Sequence, residues 1–176
     1  MTTKRAMISH VGPGLRLQAA TGSGHTLLFD DLEGDGGPRP TEVLLAALGA
    51  CTAMDVLSIL RKKRQPNGSY RVRLEGEQAV EHPQLFTSIR VVHEFQGDVP
   101  EAAAARRAIE LSASRYCAIS AALASGAARV SHWCVLRGET SADDEVGEVF
   151  VSGPNAVPLV DAAESSVGST ESAALP

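Results

Sequence analysis

Gly37-Pro38-Arg39-Pro40-Thr41-Glu42-Val43-Leu44-Leu45-Ala46-Ala47-Leu48-Gly49-Ala50-Cys51-Thr52-Ala53-Met54-Asp55-Val56-Leu57-Ser58-Ile59-Leu60 is the stretch that decides the fold. Pro40 and Thr41 suit a helix start, and Glu42 in the first turn complements the helix dipole. Arg61, Lys62, Lys63 and Arg64 suit its end, and Pro66-Asn67-Gly68 stops it. The reading is one helix from about Thr41 to Arg64, roughly 36 Å long at a rise of about 1.5 Å per residue. From Val43 to Leu60 it is apolar almost all round, and a helix with no polar face must be surrounded. Ala46, Ala47, Gly49, Ala50 and Ala53 permit close approach of another backbone. One modest sheet covers one side only, so a second copy of the chain is the simplest cover for the other. Asp55 within the run and Glu42 before it argue against a membrane span.

On either side lie short strands. Lys4 to Ser9, Leu15 to Ala20 and His25 to Phe29 read as three, separated by Gly12-Pro13-Gly14 and Gly22-Ser23-Gly24. Downstream, Val72, Leu74 and Gly76 alternate with Arg71, Arg73, Glu75 and Glu77, a half-buried strand. His82-Pro83-Gln84 turns the chain, and Phe86 to Phe95 reads as the antiparallel partner. Asp98 caps a helical stretch that runs to about Ala124 with a break near Cys117. Arg129 to Arg137 is the last expected strand. The order is βββ-α-ββ-α(α)-β, an α+β pattern of antiparallel sheets around two central helices.

Composition narrows the class. The 176 residues suffice for one domain with a core, and the hydrophobic content of 44% is ordinary for a globular chain. All 16 Lys and Arg lie at or before Arg137, where they face 13 acidic residues, while Glu139 and everything after it carry 8 acids and no base. The expected division is a domain over 1–138 and a disordered acidic Ala/Ser-rich tail over 139–176, in which Phe150 and Val151 can dock locally. The body is neither basic nor aromatic enough for nucleic acid. Met1 to His10 has no apolar leader, and three cysteines cannot make a disulfide framework, so a reducing cytoplasm is expected.

Cys51 and Cys117 lie 66 residues apart, too far for a CxxC pair, and can meet only through folding. Two such thiols are the minimum equipment for thiol redox chemistry. A thiolate attacks a peroxide oxygen, and the resulting sulfenic acid condenses with a second thiol. Asp55, four residues after Cys51, shares its helical face and would oppose ionisation of the thiol unless a cation pairs with it. Cys134 reads as packing in the last strand. His132 with Cys134, or with Cys51 and Cys117, matches no common zinc spacing, and no cofactor or metal is expected.

The order of elements and both cysteine contexts resemble the OsmC/Ohr family of osmotically inducible and organic-hydroperoxide-resistance proteins. The GPxPxExLLAALGAC segment with Thr52-Ala53-Met54-Asp55-Val56 is most similar to the YhfA-like branch, as are Leu85-Phe86-Thr87, the alanines 102–105 and Tyr116-Cys117. The resemblance implies an intertwined homodimer whose long helices lie at its centre. It also implies a thiol peroxidase for organic hydroperoxides, with Cys51 attacking, Cys117 resolving and an external thiol reductant, such as a dihydrolipoyl group, restoring both thiols. Glu42 matches the family's carboxylate position. Helix geometry puts it on the far side of Cys51 and roughly 13.5 Å along the axis. It therefore either serves its own helix dipole, or reaches the partner subunit's thiol or holds an arginine that does. Arg16 occupies the region of the family's thiolate-stabilising arginine, or is a solvated strand residue; Arg39 and Arg115 are other sources of positive charge. The competing reading is a non-catalytic small-molecule-binding or redox-sensing protein on the same scaffold.

Overall fold

The computed structural model describes residues 2–138, 144–154 and 156. Among them the order is β1 (Ala6–His10), β2 (Leu17–Thr21), β3 (Thr26–Phe29), α1 (Pro40–Lys62), β4 (Ser69–Gln78), β5 (Phe86–Gly97), α2 (Ala102–Leu111), α3 (Ala118–Ala124), β6 (Arg129–Gly138) and β7 (Asp144–Ser152). The fold is α+β as read from the sequence. β1, β2 and β3 form an antiparallel meander, and β4-β5-β6-β7 form a second sheet in that spatial order.

Two expectations need correction. β5 and β6 pair in parallel, from Ser88 opposite Arg129 to Gly97 opposite Gly138, so the second sheet is mixed. Parallel neighbours require a long crossover, and α2 and α3 supply it. The domain also continues past 138. β7 pairs antiparallel with β6, covering an edge that β6 would otherwise expose, and Val149 enters the core. The rest of the expected tail, 139–143, 155 and 157–176, lies outside the described residues.

The core lies between the four-stranded sheet and the helices. Val56 and Leu60 of α1, Phe95 of β5, and Ala105, Ala108 and Ile109 of α2 form one cluster with Leu136 and Val149. Leu48 of α1 packs with Phe86, Ile89, Val91, Cys117 and Val130 in the other. Gly49 lets α1 approach β4, since a Cβ there would stand 2.6 Å from Leu74 Cδ1. α1 buries only a stripe: Leu48, Gly49, Thr52, Val56 and Leu60 are covered, while Met54 on the outer side is 72% exposed. The small sheet is likewise uncovered, with Met7 and Ile8 of β1 and Leu27 of β3 exposed.

Two histidines are fully buried in the sheet. His93 Nδ1 lies 2.7 Å from the Tyr70 hydroxyl, His93 Nε2 lies 3.3 Å from His132 Nδ1, and His132 Nε2 lies 3.5 Å from Ser120 Oγ. Burial, with the neighbouring His132, holds His93 well below its usual value of 6.5, and burial pushes His132 down to about 4. The unfolded chain protonates these rings near 6.5, whereas the fold resists until far lower, so their contribution is intact above pH 6.5 and fades as pH falls. At about pH 5 the loss from His132 alone is about 2 kcal/mol, above the range in which carboxylates titrate. Urea unfolding midpoints at the two pH values will show it: the midpoint at pH 5 lies below that at pH 7, and equal midpoints contradict a neutral buried pair.

Candidate thiol site

Cys51 and Asp55 are one turn apart on α1 and so project from the same face. Cys117 reaches them through a break in the second helical stretch. α2 ends at Leu111, and Ser112–Tyr116 form a widened π turn that Cys117 closes by donating its amide to the Ser112 carbonyl at 2.9 Å. Cys117 then leaves helical geometry, with φ −74° and ψ 101°, and heads α3. π turns interrupt a helix by one residue and redirect its face, and here the redirection turns Cys117 inward toward α1.

Buried hydroxyls tie the two elements together. Ser112 Oγ donates to Asp55 Oδ2 at 3.0 Å, and Thr52 Oγ1 lies 3.0 Å from Ser112 Oγ. Because the single Ser112 proton goes to the carboxylate, Thr52 must be the donor to Ser112. Neither Thr52 nor Ser112 has any solvent exposure. The outcome is a cluster in which Cys51 Sγ, Cys117 Sγ and an Asp55 carboxylate oxygen all lie within 4.8 Å of one another.

The sulfurs differ in their surroundings. Both are free thiols; Cys51 is half-buried and Cys117 is 2% exposed. Burial pushes the Cys117 thiol up to about 12, the adjacent Cys51 thiol adds to the push, and the Ser120 amide, which donates to the sulfur at 3.4 Å, opposes it. Cys117 therefore rests as a neutral thiol, and Cys51 is the sulfur an incoming molecule meets first. A cleft of about 350 Å3 opens beside Asp55, between Ile59, Leu111 and Tyr116 on its apolar side and Lys62 and Lys63 at its rim.

The other residues singled out from sequence lie elsewhere in this chain. Glu42 accepts from the Arg39 amide at 2.9 Å and pairs with the Arg39 guanidinium; those contacts hold its carboxyl below the usual range and close the start of α1. Arg16 Nε donates to Asp30 Oδ2 at 2.8 Å, and Asp30 also accepts from the Gly36 amide, so this pair folds the loop between β3 and α1. Arg115 stacks on Tyr116, 5.7 Å from the ring centre. Cys134 is fully buried among Phe95 and Leu136, and His132 faces His93 instead of the thiols. Sequence reasoning missed Thr52 and Ser112. The signal was faint: two small hydroxyls beside candidate thiols, one of them 57 residues from the carboxylate it orients.

A family model described as "OsmC-like protein" matches residues 33–132, a span that contains α1, both cysteines and Asp55. Protein YhfA of Escherichia coli is 41% identical over 107 residues, which cover 61% of this chain and 80% of the relative. A hypothetical protein from Aquifex aeolicus has a similar solved structure, with a TM-score of 0.68 and 26% identity over 79% of this chain and 99% of its own. An organic hydroperoxide resistance protein from Legionella pneumophila shares the fold, with a TM-score of 0.57 and 15% identity over 78% of this chain and 98% of that one.

The Thr52–Ser112–Asp55 tie has a measurable cost of removal. Ser112→Ala strands the buried Thr52 hydroxyl and should lower stability by about 1–3 kcal/mol in urea unfolding. Thr52→Val should cost a similar amount, and the double variant should lose less than the sum of the two, because both act on one network. Full additivity would show that the two hydroxyls act separately.

Proposed function

The chain belongs to the OsmC family, and on that premise we propose that it is a cysteine-dependent peroxidase that reduces organic hydroperoxides. The observation that carries this reading is the meeting of Cys51 and Cys117, sulfurs 66 residues apart in sequence, with Asp55, which also lines a cleft that a small amphipathic molecule can enter. The likeness in fold to the Legionella organic hydroperoxide resistance protein supports a role in redox stress.

The cycle needs three steps. The Cys51 thiolate attacks one peroxide oxygen, the O–O bond breaks, and the alkoxide leaves as an alcohol after taking a proton. Cys51 is then a sulfenic acid. The Cys117 sulfur attacks the Cys51 sulfur, a disulfide forms, and the hydroxyl leaves as water with the Cys117 proton. An external dithiol, of which a dihydrolipoyl group is one example, returns both cysteines to thiols by exchange. The apolar wall of Ile59, Leu111 and Tyr116 favours an organic peroxide over hydrogen peroxide. A cytoplasmic location fits three free thiols.

We assign the working form to a homodimer. α1 leaves Met54 on an apolar outer face, and the β1–β3 sheet leaves Met7, Ile8 and Leu27 uncovered, which together make more exposed apolar surface than a lone chain tolerates well. In the dimer, Glu42 with its Arg39, or Arg16, can reach the partner subunit's thiol. A second reading, a non-catalytic ligand-binding or redox-sensing protein, draws on the carboxylate of Asp55 beside the thiols, where a peroxidase nucleophile is better served by a cation.

One equivalent of an alkyl hydroperoxide added to reduced protein should remove two thiols and leave a Cys51–Cys117 peptide link in mass spectra. In Cys117→Ser the product should be a Cys51 sulfenic acid trapped by dimedone, and Cys51→Ser should not react. Thiols that survive the peroxide would exclude the peroxidase and favour the binding reading. Light scattering should give twice the 18.4 kDa chain mass, and Met54→Asp should shift it toward one chain; a wild-type monomer contradicts the dimer.

A further inference from the structure

We propose that Cys51 Sγ, Cys117 Sγ and the Asp55 carboxylate form a three-ligand site for a zinc-class divalent cation, with the fourth coordination position open at the half-buried Cys51 edge. The proposal uses the same three groups as the thiol site but does not depend on the peroxidase reading.

Distance comes first. Donors held about 2.3 Å from one zinc ion in tetrahedral directions stand about 3.8 Å apart. The three donor atoms lie within 4.8 Å of one another before any ion draws them in. Side-chain adjustments that shorten these separations by up to about 1 Å would close them on a common centre.

The donors are also oriented, as ligands of a metal are when their second partners are in place. Ser112, itself held by Thr52, occupies one oxygen of Asp55 and leaves the other for an ion. The Ser120 amide holds the Cys117 sulfur. Both hydroxyls are fully buried, so this orientation survives without solvent. Two sulfurs and one carboxylate oxygen make a borderline-soft set that suits zinc, or cadmium as its probe, over magnesium or calcium.

A divalent ion would displace the two thiol protons, and the two thiolates with the Asp55 carboxylate would balance its charge. Within one chain Arg16 pairs with Asp30, Arg39 pairs with Glu42 and Arg115 lies over Tyr116, while Lys62 and Lys63 line the neighbouring cleft. Binding involves no redox change. Two metal–sulfur bonds and one metal–oxygen bond form, two S–H bonds break, and two protons pass to solvent. With the ion in place one lone pair of each sulfur is shared with the metal, which lowers the reactivity of both toward oxidants.

Cadmium titration of reduced, chelator-stripped protein tests this without peroxide. The expected result is an ultraviolet thiolate-to-cadmium charge-transfer band that saturates at one ion per chain, with two protons released per ion. Cys51→Ser and Cys117→Ser should each cut the band by half or more, and Cys134→Ser should leave it whole. Asp55→Asn should weaken binding by at least about ten-fold, and Ser112→Ala, which removes no ligand, by about ten-fold or more. Binding that persists without Cys51 and Cys117, or that ignores Asp55→Asn in a variant shown to be folded by circular dichroism, overturns the site. The peroxide assay is run separately on metal-free protein, so the loss of either activity is read independently of the other.

Discussion

The Thr52–Ser112–Asp55 hydrogen bonds are the constraint on which the thiol site depends. They span two elements that the chain makes 57 residues apart, and they are closed to water at Thr52 and Ser112. A buried hydroxyl without a partner is costly, so the three groups define one relative position of α1 and the π turn far better than apolar packing alone would. That position sets how far Cys117 stands from Cys51. The same contact sets the charge of the pocket, since the carboxylate at its centre is the acceptor on which the hydroxyls converge.

The π turn is the second half of this arrangement. A regular helix from Ala102 to Ala124 would carry Cys117 round with α2 and α3 on one continuous ridge. The extra residue in the Ser112–Tyr116 turn breaks that ridge, and Cys117 becomes the residue that heads α3 instead of one in its middle. The sulfur is thereby placed against an amide and deep in apolar surroundings, which keep its proton on. Cys51 sits on a straight helix at the edge of the pocket. One thiol is reachable and the other is sheltered, an asymmetry that suits an attacking and a resolving sulfur, and equally a metal bound from one open side.

Elsewhere the described residues leave apolar side chains uncovered. α1 is covered along one stripe, and the β1–β3 sheet presents Met7, Ile8 and Leu27 to solvent. The histidines, by contrast, are satisfied within the chain: four side chains from β4, β5, β6 and α3 bond to one another, three of them fully buried. Apolar exposure is not confined to these faces, since Val80 and Leu85 in the β4–β5 connection are also exposed.

Much was legible without coordinates. The apolar run from Val43 to Leu60 announces α1, and the alternation of Val72, Leu74 and Gly76 with charged neighbours announces β4, because burial on one face leaves a period in the sequence. The pair Cys51 and Asp55 could be placed on one helical face by counting residues. β7 was not legible, since its few apolar residues sit in acidic surroundings and gain their place only from the edge of β6. Nor was the parallel pairing of β5 with β6, which depends on where the crossover returns. Arg16 and Glu42 read as site residues from their positions, yet Asp30 and Arg39 engage them within the chain, and local ion pairs of that kind are decided by loop geometry. Sequence by itself determined the helix, the half-buried hairpin and the two thiol contexts, because hydrophobic period and turn chemistry are local. Only the tertiary structure decided that Cys51, Cys117 and Asp55 share one pocket, because that meeting rests on a π turn and on buried hydroxyls whose partners lie far away along the chain.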